Sequence, residues 1–184
     1  MIWVNGKSDS GKMKYIFILA IAGIFSYNAW GQTLLTTAEQ TGYQSTSTYN
    51  EVIAFMETLT GQHANARLEY FTRSIEGRGV PLVIIADPMP DSIEALENDD
   101  RIVVYIQANI HAGEVEGKEA AQMLARDLLA GNLSEGLGTN GLSEKILENV
   151  VVLICPIVNP DGNEKFSTEN RTNQNGPVNG VGVR

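Results

Sequence analysis

The sequence has one cysteine and two histidines among its 184 residues. Because a disulfide needs two thiols, the single Cys155 excludes an internal disulfide, and its apolar surroundings favour a small buried core residue. The histidines are His63 and His111. We interpret His63, in a loop after the first predicted helix, as an ordinary surface residue, which leaves His111 as the histidine to explain.

Blocks of like charge are also missing. The formal net charge is −9, and the acidic and basic residues are dispersed along the chain. A negative protein is repelled by phosphate backbones, so non-specific nucleic-acid binding is excluded as a function. The composition, 43% hydrophobic and 19% charged, is that of a globular protein, and the length suffices for one domain with a core.

A long apolar run is absent from the N-terminal segment. The run Ile16–Phe25 spans about ten residues, whereas a membrane span needs roughly 20. With a lysine before it and small residues after it, residues 1–31 are predicted to be a signal peptide cleaved after Gly31, with Met13 as a possible true start. We therefore expect a secreted or periplasmic protein, with membrane contact only if this segment is retained as an anchor.

The remaining chain is predicted to form one domain over residues 47–184, after an irregular lead-in at residues 32–46. A helix is expected to begin at Tyr49, because Thr48 and Glu51 fit a capping box. Its predicted apolar face consists of Val52, Ile53, Phe55, Met56 and Leu59, and Gly61 is a natural end.

Strands and helices alternate along this domain. The predicted helices lie at residues 114–130 and 143–149, and the predicted strands at 67–75, 80–87, 102–108 and 150–158. The first two strands form a hairpin around the sequence EGRG, and the last two are so apolar that burial on both faces is expected. The alternation predicts the α/β class, with a central, mostly parallel or mixed sheet flanked by helices.

Polar residues follow the two apolar strands. His111 comes after one strand, and Asn159, in the sequence NPDG, comes after the other. In α/β sheets ligands bind outside the carboxyl ends of the strands. We therefore expect these two segments to lie together at that end of the sheet, where a site would be built.

His111 and Glu114 form a His-x-x-Glu motif at the junction of a strand and a helix. Imidazole nitrogen and carboxylate oxygen are both zinc ligands, and Gly113 between them leaves room for close approach. The alternative is a polar turn in which Glu114 is favoured only because it lies near a helix N-terminus. Further along, Arg171 has a guanidinium suited to a carboxylate or an oxyanion, although a solvated loop residue is the commoner fate of a single arginine.

Four segments resemble a known family in their order and spacing: SIEGRGVPLVII, IQANIHAGEVEGKEAA, IVNPDGNEKF and NRTNQNGP. Together they resemble the zinc carboxypeptidases, the carboxypeptidase A-like metallopeptidases. The resemblance implies a Zn2+-dependent hydrolase of peptide or amide bonds, with His111 and Glu114 as two zinc ligands. It also implies Arg171 as the arginine that polarises the scissile carbonyl. Gly113 stands where many secreted members have a substrate-contacting arginine, so substrate preference does not carry over.

Several family features have no counterpart before residue 184. These are a later histidine ligand, an Asn-Arg pair for the substrate carboxylate, and a general-base glutamate. We therefore expect the N-terminal part of such a catalytic domain, with the third zinc ligand absent from the chain and no useful activity by itself. A truncated sheet of this kind is expected to expose strand edges and to aggregate.

Two other functions remain open from the sequence. An acyl-amino-acid deacylase, related to succinylglutamate desuccinylase or aspartoacylase, shares the His-x-x-Glu start, although NPDG and the signal segment favour the carboxypeptidase interpretation. A non-catalytic secreted binding domain would keep the fold without the chemistry.

Overall fold

The computed structural model describes residues 33–111, 113–134 and 141–166. The predicted signal peptide and Arg171 lie outside these residues. The lead-in, predicted to be irregular, contains a short helix α1, Thr37–Gln40, whose capping box is formed by Thr36 and Glu39. Every helix in the described part of the chain is too short or too polar to span a bilayer.

Helix α2, Tyr49–Gln62, begins where the sequence predicts. The Thr48 side chain accepts a hydrogen bond from the Glu51 amide, and the Glu51 carboxylate accepts one from the Thr48 amide, so the capping box is confirmed. Its buried residues are Val52, Phe55, Met56 and Leu59. The fifth predicted member of the apolar face, Ile53, is partly exposed.

A four-stranded sheet forms the centre of the described residues. Its strands are β1 (Ala66–Arg73), β2 (Gly79–Ile85), β3 (Ile102–Gln107) and β4 (Val150–Cys155), in the order β1-β2-β4-β3. The β1–β2 and β2–β4 pairs are antiparallel, and β3–β4 is parallel. The α/β class and the hairpin are confirmed, and the sheet is mixed rather than mostly parallel.

Both faces of the central strands are covered. On one face, α2 and helix α3 (Val115–Leu129) pack against the sheet, in a core that includes Phe55, Met56, Val83, Ile85, Ala121, Leu128, Val152 and Ile154. On the other face, the segment after β2, which contains a 3-10 helix at Glu94–Asn98, contributes Met89, Ile93 and Leu96. The predicted burial of β4 is confirmed, since four of its six residues are buried.

The predicted burial of β3 on both faces is wrong. Ile102 is 67% exposed, and Val103, Val104 and Tyr105 are 42%, 38% and 48% exposed. Among the described strands, β3 pairs with β4 alone and ends the sheet order. An apolar run indicates that a strand is suited to burial, but neighbouring elements decide whether it is covered.

The remaining helices connect the strands near the expected positions. Helix α3 ends close to Gly131, whose φ of +72° suits glycine. Helix α4 spans Leu142–Asn149, as predicted to within one residue. A short helix α5, Pro160–Asn163, follows β4, where the sequence indicated irregular structure.

Candidate functional site

The His-x-x-Glu motif forms a tight turn between β3 and α3. The Nδ1 atom of His111 lies 2.8 Å from the Oε1 atom of Glu114. The Glu114 amide donates to the His111 carbonyl over 2.8 Å, which closes the turn. The two side chains are 41% and 48% exposed, so both are accessible from solvent. The turn therefore brings an imidazole and a carboxylate together at one open point.

Glu114 is the N-cap residue of α3, but its carboxylate makes no capping hydrogen bond with the described residues of that helix. The carboxylate is instead directed at His111, and its Oε2 atom also accepts from the His111 backbone amide at 3.4 Å. Glutamate is not among the preferred N-cap residues. Glu114 thus lies at the helix N-terminus, as the alternative interpretation also expects, and its role as a metal ligand stays a prediction.

The buried residue Asn109 supports the turn through hydrogen bonds. It is 2% exposed and has a φ of +56°, in the left-handed region that asparagine tolerates better than most residues. Its side-chain amide donates to the backbone carbonyl of Glu114 over 3.4 Å, and its backbone carbonyl accepts from the backbone amide of Asn159 over 3.1 Å. Sequence reasoning missed this residue, although an asparagine between an apolar strand and a polar motif is a signal for such a conformation.

The segments after β3 and β4 run side by side, as predicted. The Ala108 amide donates to the Cys155 carbonyl over 2.9 Å, and the Val158 amide donates to the Ala108 carbonyl over 3.0 Å. The side-chain amide of Asn159 then donates to the Ile110 carbonyl over 3.3 Å. These bonds extend the parallel β3–β4 pairing beyond the strands and place the NPDG loop beside the residue before His111.

The NPDG loop is itself fixed by side-chain hydrogen bonds. The Asn159 Oδ1 atom caps α5 by accepting from the Gly162 amide over 2.9 Å. The Asp161 carboxylate accepts from the Ser74 hydroxyl over 2.7 Å, the Glu76 amide over 2.9 Å and Arg78 over 2.8 Å. Burial opposes ionisation of Asp161, but these hydrogen bonds outweigh it and lower the pKa of this carboxyl. Asp161 therefore joins the loop to the β1–β2 turn and is not directed at His111.

The other predicted site residues do not join this pair. His63 follows α2 as its C-cap, before β1, which ends the sheet order at the edge opposite β3. Arg171 lies outside the described residues. Within residues 33–111, 113–134 and 141–166, no group of three or more His, Cys, Asp or Glu side chains is placed to hold a metal ion.

Comparisons with known proteins agree with the fold. A family profile described as zinc carboxypeptidase matches residues 52–183. The chain is similar to a metallo-carboxypeptidase from Burkholderia cenocepacia, with 23% identity, a TM-score of 0.52, and coverage of 64% of this chain and 28% of that one. It is also similar to carboxypeptidase A from Helicoverpa armigera, with 18% identity, a TM-score of 0.53, and coverage of 81% and 32%.

A third solved structure, a putative carboxypeptidase from Burkholderia mallei, matches with 24% identity, a TM-score of 0.51, and coverage of 64% and 27%. The chain thus spans about 30% of the length of these structures. No match was found among curated proteins.

Proposed function

The chain belongs to the zinc carboxypeptidase family, and on that premise we propose that it contributes two zinc ligands, His111 and Glu114, to a hydrolase of peptide or related amide bonds. The observation that carries this proposal is the 2.8 Å approach of His111 Nδ1 to Glu114 Oε1. The pair follows β3, and the residue before it, Ile110, is hydrogen-bonded to Asn159 of the NPDG loop. This is the carboxyl end of the strands, where α/β proteins bind ligands.

The chemistry of this donor pair fits zinc. Neutral imidazole and carboxylate are both common ligands of catalytic zinc, and His₂Glu is one of the ligand sets that zinc peptidases use. Each side chain is roughly half exposed, so a metal ion reaches it without disturbing the core. The hydrogen-bonded turn holds the two side chains together before a metal arrives, which reduces the ordering that binding requires.

The proposed division of labour follows from the family. A bound zinc ion supplies Lewis-acid polarisation of the scissile carbonyl and activation of water. His111 and Glu114 hold it, and Arg171 binds the developing oxyanion through its guanidinium. No histidine follows His111 in the sequence, so we propose that the 184-residue chain lacks the third ligand and has no useful peptidase activity by itself.

Zinc titration of the purified chain tests the metal role. We expect one weak zinc site per chain, measured by competition with a chromophoric chelator, because a two-ligand site binds less tightly than a three-ligand one. His111→Ala and Glu114→Gln are expected to remove this site. His63→Ala is the matched control, since it deletes the other imidazole, and it is expected to leave the affinity unchanged. Equal loss in His63→Ala, or none in His111→Ala, would contradict the proposal.

We also propose export, on the basis of residues 1–31. Expression of the full chain in a bacterial host, followed by mass determination of the mature protein, tests it. The expected product begins at Gln32 and is found outside the cytoplasm. An uncleaved product confined to the cytoplasm would refute it.

A further inference from the structure

Lys118 lies one helical turn after Glu114 and is fully buried. Its Nζ atom donates to the Asn163 Oδ1 atom over 2.6 Å and to the Ser47 carbonyl. Asn163, itself 1% exposed, ends α5. A buried ammonium thus joins the first turns of α3 to the end of the NPDGN segment and to the residue that precedes the α2 cap.

We propose that Lys118 is a positioning residue, which fixes the start of α3, and with it Glu114, against the loop that supports His111. The metal role of Glu114 belongs to the function proposed above, but the geometric part of this inference does not depend on it.

The contacts form a closed ring around the motif. From Lys118 the ring passes to Asn163, whose backbone amide donates to the backbone carbonyl of Asn159 over 3.1 Å. Asn159 then donates from its side chain to the Ile110 carbonyl, beside His111. The His111–Glu114 turn returns the ring to α3. Lys118 links α3 to the loop from within the core, since its side chain is fully buried.

A lysine is a costly choice at this position. Burial lowers the pKa of Lys118 to about 8, even though the carboxylates of Glu119, Glu164 and Glu51 favour the charged form. An apolar side chain would fill the space without desolvating an ammonium, and buried ionic groups often stabilise less than apolar ones. The hydrogen bonds of Lys118 have a fixed direction, however, and apolar packing does not supply that geometry.

Neighbouring residues reinforce the same junction. The Glu119 carboxylate accepts from the Ser47 amide over 2.6 Å and from the Thr46 hydroxyl over 2.8 Å. The Asn163 side-chain amide donates to the Ser47 carbonyl over 3.3 Å. Ser47, Lys118 and Asn163 therefore share one buried polar cluster, in which the Lys118 ammonium bridges two oxygen acceptors.

The test compares Lys118→Met with Arg126→Met in the full 184-residue chain. Arg126 is a suitable control because, like Lys118, it bonds α3 to a segment that precedes α2. It donates to Glu39 over 2.6 Å and to the Leu34 carbonyl over 3.0 Å, but it lies at the far end of α3. Hydrogen–deuterium exchange is measured on peptides covering residues 109–118 and 157–166, with a peptide of α2 as reference. Affinity for zinc alone is measured on the same samples.

We expect Lys118→Met to speed exchange in both site peptides by about tenfold relative to Arg126→Met, and to weaken zinc binding by about 10-fold or more, as loss of a ligand-orienting contact does. Arg126→Met should leave zinc affinity within about twofold of the parent. If Lys118→Met does not fold, Asn163→Ala removes the same bond from the other side and is expected to reproduce both effects.

Equal exchange in the site peptides of the Lys118 and Arg126 variants would overturn the inference, because Lys118 would then contribute to stability without positioning the motif. Absence of zinc binding in the parent chain would instead refute the proposed metal site, and the exchange result would still decide the role of Lys118.

Discussion

The side-chain amide of Asn159 donates a hydrogen bond to the backbone carbonyl of Ile110 over 3.3 Å, although 49 residues separate the two. The same side chain caps α5 through its oxygen. Asn159 thus uses both ends of one amide group, one to form its own loop and the other to hold the loop that carries His111.

Substitution of Asn159 separates these two roles. Asn159→Ala loses the cap and the bond to Ile110, and we expect it to lower the free energy of unfolding by about 1–2 kcal/mol. Asn159→Ser keeps an oxygen for the Gly162 amide but loses the donor to Ile110, so it should lose only part of that amount. Urea denaturation measures both values, and equal losses in the two variants would show that the Ile110 bond carries the whole effect.

Asp161 is expected to make the free energy of unfolding depend on pH in the acidic range. Its folded pKa lies below the ordinary 3.8, so as the pH falls the unfolded chain takes up this proton first. The stabilisation is complete above the unfolded value and is lost as the pH falls through the folded one. Asp161→Asn should cost about 1–2 kcal/mol at neutral pH. Denaturation series should show that its deficit against the parent shrinks below about pH 4, and a constant deficit would refute the assignment.

Lys118 is expected to make the free energy of unfolding depend on pH in the alkaline range. The unfolded lysine keeps its proton up to the ordinary 10.5, whereas the folded one releases it near 8. Between these values the unfolded chain binds more protons, so the stability of the parent rises with pH. The free energy of unfolding of the parent minus that of Lys118→Met should therefore increase by on the order of 3 kcal/mol across this window. A flat difference would mean that Lys118 has an ordinary pKa in the folded protein.

The exposed strand β3 is expected to promote association of the isolated chain. Val103 is 42% exposed on the strand that ends the described sheet, and charged residues on edge strands suppress edge-to-edge pairing. Val103→Lys should slow aggregation, followed by light scattering. Ile75→Lys is the matched control, because Ile75 is fully exposed in the hairpin turn and not on that edge. If both variants slow aggregation equally, general surface hydrophobicity and not the edge of β3 is responsible.

Local patterns were enough to predict much of the fold. The Thr48–Glu51 capping box marks the start of α2, because its hydrogen bonds connect residues only three positions apart. The β1–β2 hairpin likewise follows from two apolar runs and a short turn between them. The contact between the segment before His111 and the NPDG loop was predictable as well, since parallel strands direct their carboxyl ends to the same end of the sheet.

What the sequence alone determined is the presence of the four strands and of helices α2, α3 and α4, the family, and the likeness of His-x-x-Glu to a ligand pair. The tertiary structure decided that β3 is exposed, that Asn109 adopts a left-handed conformation, and that Lys118 is buried against Ser47 and Asn163. Hydrogen bonds between residues close along the chain, and the periodicity of apolar side chains, depend only on short stretches of sequence. Burial and long-range polar contacts depend on residues that are distant along the chain, and only folding brings those residues together.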